Sequence, residues 1–194
     1  MNAAMREYYE RRAAEYDDWW LGTGLFAQRD RPGWDADRDA LIAKLERLEP
    51  KRTLDLACGT GFLTRHLPGA VTGVDQSATM VAIARGRGVD AVEGDALDPP
   101  AGDFERIFSS HFYGHLDRAQ RERFKALAGG RELVVVDSAQ RPGQPAEAWQ
   151  QRTLNDGSTH RVYKRWFTPE VLQRELGAGE VFHAGPWLIG LLIR

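Results

Sequence analysis

The chain has 194 residues, 42% of them hydrophobic and 28% charged, and a formal net charge of −2, as expected for one globular domain with a sizeable core. This balance gives no broad basic field for nucleic acid, and the sequence lacks the run of about 18 apolar residues that spans a membrane. Cys58 is the only cysteine, which excludes an internal disulfide, and residues 1–6 lack the apolar core of a signal peptide, so we expect a cytoplasmic protein.

The first 50 residues are predicted to form two helices. Residues 3–20 are rich in aromatic and charged side chains, and their apolar positions recur with helical spacing. The residues of this face are Tyr9, Ala13, Tyr16 and Trp20. The pattern fits either an amphipathic helix packed on the domain or a lid over a ligand site. Residues 36–48 predict a second helix without chemistry of its own, with Asp35 or Asp37 as its N-cap.

The most informative stretch is T-L-D-L-A-C-G-T-G-F at residues 53–62. An apolar run typical of a buried strand leads to Gly59 and Gly61, and helical spacing returns over residues 62–67. Glycine lets the backbone approach a ligand, and the start of a helix offers unpaired N–H groups, so this order predicts a cradle for a nucleotide cofactor. Asp55 precedes the glycines, where it can accept hydrogen bonds from an ammonium or hydroxyl group.

The spacing within this cradle distinguishes between cofactors. A dinucleotide fingerprint needs a third glycine where this chain has Thr64, and a P-loop needs Lys-Ser/Thr where it has Phe62-Leu63. The pattern D-x-x-x-G-x-G resembles instead the class I S-adenosylmethionine (SAM)-dependent methyltransferases. That resemblance implies SAM as cofactor and an α/β fold, with a Rossmann-like seven-stranded mostly parallel sheet, helices on both faces and a terminal antiparallel strand. The alternatives are a non-catalytic SAM-binding module of this fold and, less favoured, an NAD(P)-dependent oxidoreductase.

Acids after the next two strands extend the predicted cofactor site. Asp75 closes the second strand, where a carboxylate can accept from both ribose hydroxyls; the alternative is a solvated acid beside an N-cap at Ser77. The resemblance places Asp95 and Ala96 beside the adenine, whereas a simple turn is the alternative. It also implies that the N-terminal helix covers the cofactor, with Tyr16 as its contact and Tyr8 or Arg12 as the next candidates. The expected cofactor-binding residues are Tyr16, Asp55, Gly59, Gly61, Asp75, Gln76, Met80, Asp95, Ala96 and Ser110.

Two histidines follow the fourth predicted strand, residues 104–110, whose end adjoins the switch point of an open α/β sheet. His111 and His115 lack the glutamate of H-E-x-x-H and a third ligand, so no metal site is predicted. We expect either histidine to contact the acceptor as a base or anion donor, or His115 to bond a backbone carbonyl structurally. The absence of an N/D-P-P-Y/F motif argues against DNA adenine and related amine targets.

A basic stretch follows the fifth strand, around a predicted turn at residues 155–157. From Arg152 the sequence resembles a small-molecule O-methyltransferase subgroup and is similar to a phosphonate O-methyltransferase. We therefore expect Arg152 to hold an anionic acceptor bidentately, with Arg161 and Lys164 as further donors. The alternative is a solvated basic ribbon.

These observations predict one methyltransferase domain that moves a methyl group to a small molecule, at an oxygen of an acidic metabolite. Its predicted parts are a helical lid (1–50), a SAM-binding core (51–137), a substrate-side insertion (138–167) and a C-terminal helix and strand pair (168–194). We expect no nucleic-acid or membrane partner and allow for a homodimer.

Overall fold

The computed structural model describes residues 3–194, so the first two residues of the predicted lid, Met1 and Asn2, lie outside the described residues. The helices are α1 (Ala3–Arg12), α2 (Asp18–Leu21), α3 (Trp34–Leu45), α4 (Ala78–Gly86), α5 (Arg118–Ala128) and α6 (Pro169–Leu176). The strands are β1 (Thr53–Leu56), β2 (Val71–Asp75), β3 (Asp90–Glu93), β4 (Arg106–Ser110), β5 (Glu132–Ser138), β6 (Glu147–Thr153), β7 (Thr159–Arg165), β8 (Glu180–Ala184) and β9 (Leu188–Ile193).

Seven strands form one sheet in the order β3-β2-β1-β4-β5-β9-β8. Strands β1 to β5 pair in parallel, whereas β9 is antiparallel to both β5 and β8. The predicted fold class is therefore confirmed. The strand order reverses between β1 and β4, so the carboxyl ends of β1, β2 and β4 meet at the switch point where such sheets bind ligands.

Helices cover both faces of this sheet because its central strands are apolar on both sides. Along β5, Leu133 and Val135 join a core that includes side chains of α5 and α6, while Val134 and Val136 join a second core with side chains of α2 and α3. All seven residues of β5 are buried. Such a near-continuous apolar run is typical of a parallel sheet covered on two faces.

The helix predicted over residues 62–67 is absent. The chain forms only a 3-10 turn, Thr64–His66, and Leu67 is already extended at φ −80° and ψ 130°. Pro68 explains the difference, since a proline disfavours helical geometry at the residue before it and leaves too short a segment for a stable helix. The glycine loop is therefore not followed by the helix N-terminus that the sequence indicated.

The N-terminal segment is also broken, because α1 ends at Arg12 and a 3-10 turn precedes α2. The carboxylate of Asp17 lies in this break, where it accepts a hydrogen bond from Thr60 Oγ1 at 2.6 Å and pairs with Arg87. These tertiary contacts hold the chain away from a continuous helical path. They fix the break over the loop that follows β1.

Asp37 does not cap α3, whose N-cap is Gly33 with no side-chain hydrogen bond. It is buried and accepts hydrogen bonds from the backbone N–H groups of Trp187 and Leu188 at 2.8 and 3.1 Å. Its other oxygen contacts His183 Nε2 at 2.7 Å. Asp37 thus ties α3 to the terminal strand pair, which a local capping pattern does not reveal.

Strands β6 and β7 form a separate two-stranded hairpin around the predicted turn. Because side chains alternate along a strand, Arg152 and its partner His160 lie on the inner face together with Lys164, while Arg161 lies on the outer face. The hairpin contacts the residues after β4 through the backbone of β7. Its inner face is therefore placed near the switch point.

Candidate functional site

The loop after β1 winds tightly at the carboxyl edge of the sheet. Ala57, Gly59 and Gly61 all have positive φ angles, of 63°, 55° and 74°. A Cβ atom on Gly59 would lie 3.7 Å from the ring of Tyr16, so the backbone of Gly59 faces the segment after α1. A Cβ atom on Gly61 would instead lie 3.0 Å from Val89, so Gly61 packs toward the α4–β3 connection.

A cleft of about 40 Å³ lies between this loop and α1. Six of the expected cofactor-binding residues line it: Tyr16, Gly59, Asp75, Gln76, Met80 and Ser110. His111 and His115 line it as well. The other four expected residues, Asp55, Gly61, Asp95 and Ala96, lie outside its walls. The structure therefore brings together most of the predicted set from four separate segments.

Asp75 lies at the end of β2 and organises the cleft. One carboxylate oxygen accepts a hydrogen bond from Gly59 N and the other from Ser77 N, each at 2.9 Å. Burial raises the pKa of Asp75, and the backbone hydrogen bonds oppose that shift. Asp75 is therefore not the solvated acid of the alternative interpretation, although Ser77 does cap α4. Each oxygen keeps a further lone pair for a ligand hydroxyl.

Asp55 is buried in β1, and only one of its oxygens is engaged. Oδ2 accepts a hydrogen bond from Thr64 Oγ1 at 2.6 Å, whereas Oδ1 has no hydrogen-bond partner among the described residues. Burial raises the pKa of Asp55 to about 7. The hydrogen bond from Thr64 lowers this pKa, and the negative charge of Asp75 adds a smaller increase. An unpartnered buried oxygen is costly, and a cationic ligand group such as an ammonium would satisfy it.

Asp95 and Ala96 form the turn after β3. Asp95 Oδ1 accepts a hydrogen bond from Leu97 N at 2.9 Å and lies 3.5 Å from Gln76 Nε2. Ala96 is buried. Asp95 and Ala96 thus form the simple turn that was the alternative to an adenine contact. Gln76, which lines the cleft, connects this turn to it.

A second cavity, of about 510 Å³, adjoins the cleft. The two share four lining residues: Tyr9, Tyr16, His111 and His115. Its volume lies within the range of small-molecule sites, about 300–1,000 Å³. The shared residues therefore mark the place where a group could pass from a ligand in the cleft to one in the cavity.

His111 lies at this junction in a left-handed backbone conformation, with φ of 54°. Its Nδ1 is 3.3 Å from Ser138 Oγ, and its buried Nε2 has no hydrogen-bond partner within residues 3–194. The rings of Trp19 and Trp20 surround it, at centroid distances of 4.8 and 5.1 Å. Burial and the nearby Lys164 lower the pKa of His111 to about 3. The imidazole is therefore neutral near pH 7 and is not a cationic anion donor.

His115 is held in one tautomer. Its Nδ1 is 2.5 Å from the carbonyl oxygen of Tyr163, so Nδ1–H donates there, and Nε2 accepts from the Tyr9 hydroxyl at 3.2 Å. Burial, Lys164 and Arg152 lower the pKa of His115 well below its usual value. The structural bond to a carbonyl is thus present, while the ring still lines both the cleft and the cavity.

The neutral state of His111 predicts a pH-dependent loss of stability. Its pKa is near 6.5 when the chain is unfolded and about 3 when folded, so the stabilising contribution is complete above pH 6.5 and is lost as the pH falls. Between about pH 6 and pH 4, the free energy of unfolding should fall by about 1.4 kcal/mol per pH unit for this one group.

The measurement is urea unfolding from pH 7 to pH 4 for the wild type, His111→Gln and the control His66→Gln. His66 lies outside both cavities and pairs with Glu46. The His111→Gln profile should be flatter by the amount stated. A profile parallel to that of the wild type would show that His111 is not held neutral by the fold.

Arg152 lies on the inner face of the hairpin and lines the large cavity. Its Nη2 donates to Gln150 Oε1 at 2.9 Å and its Nη1 is 3.5 Å from the Tyr8 hydroxyl, but no carboxylate lies within 4 Å in the described part of the chain. Lys164 also lines the cavity, but its Nζ donates to the buried Asp137 at 2.5 Å. Arg152 is therefore the cation of this hairpin that remains available to an anionic ligand.

Arg161 does not belong to the site, contrary to expectation. It lies over the ring of Trp149 at 4.9 Å on the outer face of the hairpin. Side chains alternate along β7, so Arg161 faces the opposite side of the hairpin from His160, the partner of Arg152, and from Lys164.

Tyr8 and Arg12, which the resemblance implied as further contacts of the N-terminal helix, line the large cavity. Five other lining residues were not marked as site residues by the sequence: Tyr9, Trp19, Arg31, Arg141 and Gln150. The paired tyrosines within a charged helix were a signal for the N-terminal members. Arg31 and Arg141 lie in loops without periodicity, and only the fold brings them together.

Within residues 3–194, no group of three or more His, Cys, Asp or Glu side chains is arranged to hold a metal ion. None of the helices in that range is long and apolar enough to cross a membrane.

The chain is similar to known methyltransferases. A family model described as a methyltransferase domain matches residues 53–130. The structure resembles that of a DhpI–SAM–HEP complex with a TM-score of 0.79 and 25% identity, over 98% of this chain and 96% of the other.

Curated relatives match shorter parts. Trans-aconitate 2-methyltransferase of Mycolicibacterium gilvum is 43% identical over 88 residues, 42% of this chain and 32% of that protein. Demethylmenaquinone methyltransferase of Thermus thermophilus is 37% identical over 142 residues, 65% of this chain and 60% of that protein. The chain thus spans about a third to three fifths of the length of these relatives. Together with the fold and the glycine loop, the comparisons identify residues 53–130 as a methyltransferase domain with SAM as its cofactor.

Proposed function

We propose that this protein transfers the methyl group of SAM to an oxygen of an acidic small molecule. The observation that supports the acidic acceptor is Arg152, a guanidinium without a carboxylate partner in the described chain, in the cavity that meets the cleft at His111 and His115. A guanidinium binds carboxylate or phosphonate groups bidentately. One relative is named for trans-aconitate, which is an acid.

The cofactor would occupy the cleft, with Asp75 accepting from the ribose hydroxyls and Asp55 near the methionine end. The remaining residues proposed for cofactor binding are Tyr16, Gly59, Gly61, Gln76, Met80, Asp95, Ala96 and Ser110. A cleft of about 40 Å³ is smaller than a nucleotide-sized pocket, so binding requires α1 to move. The contacts that must yield include Glu10 with Thr79 Oγ1 at 2.5 Å and Arg6 with Glu93 at 3.1 Å.

When bound, SAM supplies an activated methyl group, and an acceptor oxygen forms its bond to that carbon as the carbon–sulfur bond breaks. An acid oxygen is ionised near neutral pH, so it needs alignment more than a strong base. Arg152 provides that alignment in our proposal. Neutral His111, with a pKa of about 3, is a weak base but can hydrogen-bond the acceptor through its free Nε2.

The test is transfer of labelled methyl from SAM to a panel of carboxylic acids that includes trans-aconitate, with matched amines and neutral alcohols. We expect products that release methanol in mild alkali, as carboxyl methyl esters do, and no transfer to the amines. Products stable to alkali would contradict an acid oxygen as the target. SAM binding without turnover of any acceptor would favour the non-catalytic alternative.

A further inference from the structure

Five arginines line the large cavity without forming an ion pair with any carboxylate in residues 3–194. They are Arg12, Arg29, Arg31, Arg141 and Arg152. Nine of the seventeen arginines outside this set do form ion pairs, as Arg11 does with Asp156 at 2.7 Å, whereas none of these five does within residues 3–194. Unpaired guanidinium groups gathered in one concave site form an anion-binding surface.

Aromatic rings contact three of these arginines, Arg12, Arg29 and Arg152. The guanidinium carbons of Arg152 and Arg12 lie 5.9 and 5.7 Å from the centroid of the Tyr8 ring. Arg12 also lies 5.9 Å from the ring of Phe26, which Arg29 approaches at 4.4 Å. Stacking on aromatic faces orients these cations while leaving their positive charge uncompensated.

The other two, Arg31 and Arg141, also lie over aromatic rings. Arg31 lies over Trp34 at 4.2 Å, and Arg141 lies over Trp187 at 4.0 Å. The two tryptophan rings contact each other, with centroids 5.9 Å apart. The two arginines therefore approach the same aromatic pair, although they come from loops far apart in sequence. Arg31 is fixed further by donating to the carbonyl oxygen of Trp19 at 2.7 Å.

Three acids, Glu15, Asp18 and Asp30, also lie on the cavity wall, and among residues 3–194 none of them forms an ion pair with these five arginines. The arginines without an ion pair therefore exceed the acids of the wall by two. Burial, together with the positive charge of Arg29, lowers the pKa of Arg31. Like charges held close together are relieved when an anion binds between them.

We propose that the acceptor carries two separated acid groups. This rests on the proposed function, in which Arg152 holds one acid group beside the histidines. The second acid group binds at the pair Arg31 and Arg141, whose nearest rings, Trp34 and Trp187, are not the ring that Arg152 contacts, Tyr8. The cavity thus selects an elongated dianion over a molecule with one acid group.

The test measures binding of linear dicarboxylates, from succinate to suberate, to the full chain loaded with the demethylated cofactor. Monocarboxylates of equal carbon number are the comparison, and calorimetry gives each dissociation constant. At the best chain length, the dicarboxylate should bind about tenfold more tightly or better, because a second charged contact is added. Arg31→Gln combined with Arg141→Gln should remove that advantage, with binding of the monocarboxylate and of the cofactor unchanged.

A matched control removes two charges elsewhere, through Arg47→Gln combined with Arg118→Gln, both exposed and outside the cavity. This control should keep the advantage of the dicarboxylate. If no dicarboxylate exceeds its monocarboxylate, while binding of the monocarboxylate still depends on Arg152, the two-acid proposal is overturned and the proposed function stands. If no acid binds, or if Arg152→Gln changes nothing, both fail.

Discussion

Asp75→Asn should weaken the binding of SAM by about a hundredfold or more. The carboxylate accepts from Gly59 N and Ser77 N, and in our proposal it also accepts from two ribose hydroxyls. An amide offers one acceptor oxygen in place of two and points an NH₂ group at a backbone donor. Losing charge-assisted hydrogen bonds at a buried site costs about 1.5–3 kcal/mol each, which supports the stated loss.

Calorimetry with SAM and with its demethylated product measures the effect, and a thermal melt checks that the variant is folded. The control is Asp90→Asn, on the neighbouring strand β3. Asp90 pairs in register with Thr72 at the start of β2 and β3, whereas Asp75 pairs with Glu93 at the carboxyl end of these strands. Asp90 therefore lies at the end of the strands that faces away from the cleft. Affinity for SAM should be unchanged in the control. If Asp75→Asn bound SAM within fivefold of the wild type, the ribose would not be held at Asp75.

Arg152→Gln should raise the KM of an acidic acceptor by about a hundredfold while leaving SAM affinity within about threefold. Glutamine keeps hydrogen-bonding capacity but loses the charge and the bidentate geometry, which are worth a few kcal/mol to a bound carboxylate. Arg152 lines the large cavity but not the cleft, so the two ligands should respond differently.

Arg161→Gln is the matched control, since it removes the same charge from the outer face of the same hairpin. Its steady-state kinetics should lie within twofold of the wild type. Equal losses from both variants would indicate that the hairpin attracts acids through its overall charge. Equal loss of acceptor and SAM affinity in Arg152→Gln would indicate a structural role for Arg152.

The parts of the site that were predictable depend on local backbone rules. The strand before Gly59, the glycine loop and the acid at the end of β2 follow from apolar runs, positive φ angles and strand ends. The sheet order followed from the family resemblance and not from these rules. The absence of a helix after the loop was also predictable from a local rule, because Pro68 disfavours helical geometry at Leu67. The apolar spacing of Leu63 and Leu67 favoured the helix that the sequence analysis predicted.

Tertiary contacts account for the remaining differences. Asp37 has the position of a cap, yet it is buried against the terminal strands, which no nearby residue indicates. Arg152 and Arg161 are equally basic, and only the register of the hairpin decides which one faces the cavity. Arg31 and Arg141 meet through the Trp34–Trp187 contact, which depends on the complete fold.

The hairpin of β6 and β7 shares no ladder with the seven-stranded sheet. In our proposal, exchanging its inward residues that line the cavity, Gln150 and Arg152, would alter which acceptors bind, while the hydrogen-bonded framework that carries Asp75 stays intact. If the hairpin holds the acceptor as we propose, acceptor choice and cofactor binding can diverge separately in evolution, and a designer could exchange inward residues of the hairpin without rebuilding the domain beneath it.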